Sequence, residues 1–135
     1  MNAKQYLRRV KRLNDLIKAK FKQIRVLRDI SVQITTDLSK DKIQTPNSND
    51  KTSQLVAKIV DLEKELTSDI NRLINLQREV TNKINSLDDP EYRLILTMRY
   101  LNFETWEQIA VDLGCSYQWA HVLHARALRE FEKVM

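Results

Sequence analysis

Two long stretches of the chain carry apolar residues at steps of three or four, which is the period of an α-helix. The first stretch runs through Tyr6, Val10, Leu13, Ile17, Phe21, Ile24, Leu27, Ile30, Ile34 and Leu38. The second runs through Leu55, Ile59, Leu62, Leu66, Ile70, Leu73, Leu76, Val80, Ile84 and Leu87. Each predicts one long helix with a narrow apolar stripe, and a helix cannot bury such a stripe without a partner.

A polar segment at residues 39–53, which contains Pro46, separates the two stretches and is the predicted loop. Two stripes of similar length joined by such a loop favour an antiparallel helical hairpin. An intermolecular coiled coil is the competing arrangement, and a dimeric bundle would combine the two.

The last third of the chain predicts three shorter helices. The run Asp88-Asp89-Pro90-Glu91 is typical of a helix start, because aspartate caps helices and proline is favoured in the first turn. The third helix then extends to about Leu101, with Leu94, Ile95, Met98 and Leu101 as its apolar face.

The fourth and fifth helices are predicted on either side of the only glycine. Thr105-Trp106-Glu107-Gln108 has the spacing of a capping box and starts the fourth helix. Gly114 lies where that helix should end, and Ser116 is expected to cap a fifth helix that extends to about Lys133.

Two short helices separated by Gly114-Cys115-Ser116 have the pattern of a helix-turn-helix, in which Ala110 is small where the second helix crosses. The inward face of the fifth helix is predicted to hold Ala120, Leu123, Ala127 and Phe131. We therefore predict an all-α fold in two parts. Residues 1–87 form a long helical hairpin or coiled coil for oligomerisation or partner contact, and residues 88–135 form a three-helix helix-turn-helix domain.

The early residues of a recognition helix meet base edges in the major groove of DNA. Tyr117, Gln118, His121 and His124 are predicted to point outward there. The full set of candidate DNA contacts is Arg99, Thr105, Ser116, Tyr117, Gln118, Trp119, His121 and His124. For Arg99 an ion pair with Glu107 or Asp112 is the alternative.

The charge is unevenly distributed. The chain carries a net charge of +5, but residues 1–38 hold +7 and residues 88–135 hold −3. A basic stripe attracts phosphate, and Arg8, Arg9 and Arg12 are the candidate phosphate contacts; a solvated lysine-rich face is the alternative. Because the C-terminal domain is acidic, we expect it to need help from the basic first helix or from a second copy to bind DNA.

Several classes of protein are disfavoured. No apolar run approaches the roughly 20 residues of a membrane helix, and the single Cys115 excludes an intramolecular disulfide, so we expect a cytoplasmic protein. His121 and His124 lack a third ligand, so no metal is predicted. Without a phosphate-binding glycine loop or paired catalytic carboxylates, we expect neither an enzyme nor a cofactor.

The stretch from Asp89 to Phe131 resembles the C-terminal, promoter-reading domain of bacterial sigma factors. The segments that carry this resemblance are Tyr92 to Tyr100, Thr105 to Ala110, and Ser116 to Leu128 with its Arg126-Ala127-Leu128 ending. Trp106 to Ala110 and Leu123 to Leu128 are most similar to small sigma-like regulators of phages and prophages of Gram-positive bacteria. The resemblance implies promoter binding and contact with host RNA polymerase.

The first turn of the fifth helix departs from that family. Tyr117, Gln118 and Trp119 stand where sigma factors place arginines and an acidic residue, so bidentate arginine–guanine contacts are excluded there. Gln118 can still recognise adenine, and Tyr117 or Trp119 can pack on thymine methyl groups or sugars. Position 120 is alanine where the family usually has a branched apolar residue.

The predicted function is a sequence-specific, homodimeric DNA-binding regulator of phage or prophage transcription, acting on double-stranded DNA with RNA polymerase. One rival is an adaptor that binds polymerase or a sigma factor without touching DNA, which the acidic C-terminal domain favours. The other rival is a phage DNA-packaging subunit, although such proteins usually place the helix-turn-helix first.

Overall fold

The computed structural model describes the backbone of residues 1–41 and 46–135 and the side chains of residues 1–37 and 50–135. The helices are α1 (Ala3–Asp41), α2 (Pro46–Asn85), α3 (Pro90–Leu96), α4 (Trp106–Leu113) and α5 (Tyr117–Glu132). A π-helical turn, Thr97–Leu101, continues α3. No strand occurs within the described backbone, so the all-α prediction is confirmed.

The predicted loop at residues 39–53 was too long. Helix α1 continues to Asp41, and α2 already begins at Pro46. Proline suits the first helical position because its missing N–H would have no partner in the helix there. Residues 42–45 and the side chain of Leu38 lie outside the described part of the chain.

The chain divides into two compact units. One, which we call the terminal unit, joins residues 1–14 to residues 72–135, and the other, the middle unit, holds residues 15–71. The predicted boundary at residue 87 does not coincide with this division. The reason is that Leu76, Val80, Ile84 and Leu87 of the second stripe are buried with the C-terminal helices in one core.

In the terminal unit, the first turns of α1 and the last turns of α2 pack with α3, α4 and α5. Leu7, Val10, Val80, Ile84 and Phe131 are all fully buried in this shared core. The ring of Phe131 lies 5.8 Å from that of Tyr6. Asn2 and Gln5 cap α1 reciprocally, each side chain accepting the other's backbone N–H, which satisfies two donors at the helix start.

The π-helical turn corrects the predicted apolar face of the third helix. Asp89 caps α3 as expected, with its carboxylate accepting the N–H of Glu91. The N–H of Asn102 then donates to the carbonyl of Thr97, five residues back. This wider turn places Tyr100 inward, five residues after buried Ile95. Leu96 is also buried, whereas Leu94, predicted inward, is 45% exposed.

In the middle unit, ion pairs join α1 to α2 in antiparallel order. Lys20 pairs with Asp69, and Arg28, later in α1, pairs with Glu63, which comes earlier in α2. Among the side chains of this unit that the structure describes, four stripe residues are buried: Ile17, Ile24, Leu62 and Leu66. Phe21 and Ile30, which also belong to the predicted first stripe, are instead 54% and 40% exposed.

Candidate nucleic-acid interface

Helices α4 and α5 are joined by a three-residue turn. Gly114 has a left-handed backbone (φ 64°, ψ 35°), which glycine adopts at little cost. The N–H of Cys115 donates to the carbonyl of Ala110 and that of Gly114 to Val111, so the end of α4 is closed. Ser116 Oγ then accepts the N–H of Trp119 at 3.0 Å. The predicted roles of Gly114 and Ser116 are confirmed.

The two helices pack through small residues. Ala110 of α4 and Ala120 of α5 are both buried. Leu123, Ala127 and Phe131 of α5 are also buried, so the predicted inward face of this helix is confirmed. Methyl side chains let helix backbones approach closely, and this packing determines which side of α5 remains in solvent.

Thr105 forms half of the predicted capping box. Its Oγ1 accepts the N–H of Gln108 at 3.2 Å. The Gln108 side chain does not return to the cap; its amide donates to Asp112 Oδ1 at 2.8 Å. Thr105 is exposed, and Ser116 at the start of α5 is exposed as well.

His124, predicted to point outward, is buried. It is 7% exposed, and its Nε2 lies 2.7 Å from the hydroxyl of Tyr100. Burial, followed by the nearby charges of Lys4 and Arg99, lowers its pKa to about 4, so the imidazole is neutral at pH 7. The prediction was wrong because His124 falls on the same side of α5 as Ala120, Ala127 and Phe131, and Tyr100 supplies its polar partner.

Three aromatic side chains form a ladder from the core to the surface. The ring of Trp106 lies 4.3 Å from that of His121, and His121 lies 4.6 Å from Tyr117. Trp106 also packs edge-on against His124 at 4.6 Å. His121 is therefore half-buried and held in place, whereas Tyr117 is exposed at the start of α5.

Arg99 supports the connection between α3 and α4. Its Nη1 donates to the carbonyl of Glu104 at 2.9 Å, and its guanidinium lies 4.7 Å from the centre of the Trp106 ring. These contacts replace the ion pair with Glu107 or Asp112 that was considered from the sequence. Arg99 is half-buried.

The outer face of α5 extends further than the sequence analysis proposed. Gln118 is exposed, and so are Val122, Ala125 and Arg129, which follow it at helical spacings of four, three and four. Val122 and Ala125 were missed, although the spacing from Gln118 was a sufficient signal. Trp119 is exposed on one flank of this face, and the guanidinium of Arg126 lies 5.2 Å from its ring centre.

Basic residues of α1 lie near this part of the terminal unit. The charges of Lys4 and Arg8 help to lower the pKa of His124, after burial, so both lie near this residue in the middle of α5. The Nζ of Lys11, one helical turn beyond Arg8, lies 5.9 Å from the Phe103 ring centre. We call Lys4, Arg8, Lys11 and Arg99 the basic patch.

The other two candidate phosphate contacts are not in the basic patch. The guanidinium of Arg9 lies 5.1 Å from the centre of the Tyr6 ring. Its charge also helps to lower the pKa of Glu79, which is lowered chiefly by a hydrogen bond from Tyr6. Arg12 is exposed. Of the basic residues of α1, Lys4 and Arg8 thus lie near α5, and Lys11, on the same side of the helix, lies near Phe103.

Glu104, just before α4, and Asp112, in the last turn of α4, form an acidic pair. Burial, and then a hydrogen bond with Asp112, raise the pKa of Glu104.

No group of three His, Cys, Asp or Glu side chains that could hold a metal ion occurs within the described residues. In the same part of the chain, no helix is long and apolar enough to cross a membrane.

The architecture is that of an all-α protein whose terminal unit presents two helices joined by a tight turn. The family model described as "Protein of unknown function (DUF1492)" matches residues 29–132, and the chain belongs to this family. No curated protein and no solved structure matches it.

Proposed function

We propose that the protein is a sequence-specific DNA-binding regulator of transcription that places the outer face of α5 in the major groove. The observation that carries this proposal is the exposed row Gln118, Val122, Ala125 and Arg129, on a helix that starts directly after a glycine turn. As the sequence resemblance implies, its targets would be promoters of phage or prophage genes, read together with RNA polymerase.

The chemistry of this face suits direct reading of bases. The Gln118 amide can both donate to and accept from adenine, and the Val122 side chain can contact a thymine methyl group. Tyr117 and Trp119, exposed on either side of Gln118, can pack on sugars or methyl groups. Arg129, about three turns beyond Gln118, can pair with a phosphate.

The basic patch offsets the acidity of the C-terminal helices. Residues 88–135 have a net charge of −3, which opposes binding to a polyanion. Lys4, Arg8 and Lys11 bring positive charge from α1 into the same compact unit. Neutralising phosphates releases counterions, and this supplies much of the affinity of DNA-binding proteins. We also propose that two copies act together, since dimerisation doubles these contacts.

Selection from random duplex DNA, with and without purified polymerase, tests the proposal. We expect one recovered consensus, and Gln118→Ala should relax the preference at one position by about 1–3 kcal/mol. Val111→Ala is the matched control, because Val111 is an exposed apolar residue of α4 that does not belong to the outer face of α5. Recovery of no preferred sequence in either condition would overturn the proposal.

An adaptor without DNA contact is the second candidate, and one surface favours it. A groove of about 250 Å³ is lined by apolar Leu94, Leu113 and Trp119 and by the acidic side chains of Glu91 and Asp112. Such a groove suits an apolar side chain flanked by basic residues. If purified polymerase or sigma factor bound the protein while gel shifts with selected DNA stayed negative, the adaptor function would replace DNA binding.

A further inference from the structure

The middle unit buries little of its apolar surface by itself. Within the described part of the chain, the continuous buried core contains only residues of the terminal unit. Of the described side chains in residues 15–37 and 50–71, four apolar ones are buried, whereas Phe21, Val26, Val32, Val56 and Val60 are more than 40% exposed. Two helices form a single layer, and a stable helical fold needs a second layer against the exposed stripe.

Most of these exposed side chains lie on one side of the unit. An open groove of about 700 Å³ between α1 and α2 is lined by residues that include Phe21, Arg25, Glu63 and Ile70. On α1, Phe21, Arg25, Arg28 and Val32 follow one another at helical spacings of four, three and four. On α2, Val56, Val60, Glu63, Thr67 and Ile70 do the same. Each row therefore extends the apolar surface beyond the groove itself.

The charges on the groove identify the partner. Arg28 is already paired with Glu63, but Arg25 and Asp29, one turn apart on α1, form no ion pair with any described residue. A face that carries both signs of charge one turn apart is complementary to itself when a second copy is turned through a two-fold axis. Each Arg25 then lies beside the partner's Asp29. Within one α1 helix, positions 21 and 32 are eleven residues, or about 16 Å, apart. The same rotation therefore brings Phe21 of one copy near the partner's Val32.

We propose that this groove face of the middle unit joins two copies of the chain, with their α1 helices antiparallel across a two-fold axis. The result is a four-helix bundle in which Phe21 is covered by the partner. A parallel arrangement would place each Arg25 beside the partner's Arg25, so the charges select the antiparallel order. The proposal deepens the dimerisation part of the proposed function and is independent of DNA contact.

Sedimentation equilibrium over a range of concentrations, without DNA, tests the interface. We expect the full-length protein to be dimeric, and Phe21→Asp to raise the dimer dissociation constant by at least about tenfold. Val26→Asp is the matched control, since Val26 is equally exposed on another side of α1 and should leave the constant unchanged. Circular dichroism establishes that each variant keeps its helix content.

Charge exchange provides a second test that does not depend on an apolar substitution. Arg25→Asp and Asp29→Arg should each weaken the dimer, because each places like charges together across the axis. The double variant restores opposite charges and should restore assembly. A monomer at every concentration, a ring-sized oligomer, or a double variant no better than the single ones would overturn the proposed interface. Because mass is measured without DNA, none of these results bears on base recognition.

Discussion

The hydroxyl of Tyr100 lies 2.7 Å from Nε2 of His124, in the core of the terminal unit. This contact joins the π-helical turn after α3 to α5, the helix that carries the proposed DNA contacts. Burial raises the pKa of Tyr100 to about 12, so the phenol keeps its proton and can donate it to the neutral imidazole. Protonation of His124 would remove the nitrogen lone pair that accepts this hydrogen bond and would place a charge inside an apolar core.

Acid is therefore expected to destabilise the terminal unit through His124. Its pKa is about 4 in the folded protein against an ordinary value of 6.5, with burial as the main cause. Between these values the unfolded chain binds a proton that the folded chain does not. Stability should thus rise with pH through this window and fall as the pH drops towards about 4. Urea unfolding at a series of pH values measures this slope.

A glutamine at position 124 keeps a hydrogen-bonding group but does not titrate. His124→Gln should therefore flatten the slope between about pH 4 and 6.5. His121→Gln, which removes the half-buried histidine of the aromatic ladder, serves as the control and should keep it. An unchanged slope in His124→Gln would show that another group controls acid stability.

Gly114 provides a test of the turn itself. A side chain added at this position would meet nothing within 4 Å, but its backbone φ is +64°. Gly114→Ala should therefore cost about 1 kcal/mol of unfolding free energy through backbone strain alone. Gly114→Asn should cost less, because asparagine tolerates the left-handed region. Equal losses in the two variants would contradict the strain explanation, and chemical denaturation distinguishes them.

The sequence was most informative where the determining contacts are local. Gly114 and Ser116 act on the ends of the helices beside them, so residue type and spacing sufficed to predict the turn. The helical spacing of apolar residues likewise predicted that Ala120, Leu123, Ala127 and Phe131 face inward, but not that His124 does. It could not show that the start of the first apolar stripe and the end of the second complete one core with the C-terminal helices, because those contacts join residues far apart in the chain.

The candidate site was harder to predict for the same reason. Nothing near Thr97 marks a π-helical turn, since neither glycine nor proline occurs there, yet this turn brings Tyr100 to His124. Which basic residues of α1 lie near α5 depends on how its first turns pack against helices more than 80 residues away. The candidate phosphate contacts chosen from the sequence were Arg8, Arg9 and Arg12, and of these Arg8 belongs to the basic patch together with Lys4 and Lys11.

The proposed DNA binding predicts that the basic patch contributes to its salt dependence. Lys4→Ala and Arg8→Ala should weaken binding evenly across sequences and lower the salt slope by about one for each phosphate that is no longer neutralised. Arg9→Ala should have a smaller effect, because Arg9 packs on Tyr6 and acts on Glu79. Fluorescence anisotropy at several salt concentrations gives both quantities. If Arg9→Ala reduced the slope as much as Arg8→Ala, the patch would be wrongly assigned.

The ion pair between Lys20 and Asp69 should determine how α1 and α2 pair in the middle unit. The two side chains are only 19% and 8% exposed, so removing one leaves the other charge poorly solvated. The hydrogen bond to Asp69 is the main cause that raises the pKa of Lys20. The stabilisation that the charged lysine provides is therefore present at neutral pH. It is lost only in strongly alkaline solution, as the pH rises through the raised pKa. We expect Asp69→Ala to lower the unfolding free energy clearly, and Lys133→Ala, which breaks an exposed pair with Glu130, to change it little.

Replacing both partners by apolar residues separates stability from specificity. Lys20→Met with Asp69→Leu removes the desolvation cost together with the attraction, so the double variant should be more stable than Asp69→Ala and should approach the unsubstituted protein. If the pair also selects one register of α1 against α2, the double variant should unfold less cooperatively, because apolar stripes with steps of three and four can pair in shifted registers. Equal stability of the double variant and Asp69→Ala would mean that the lower unfolding free energy of Asp69→Ala comes from lost packing. Unchanged cooperativity of the double variant would mean that the surrounding leucines and isoleucines determine the register.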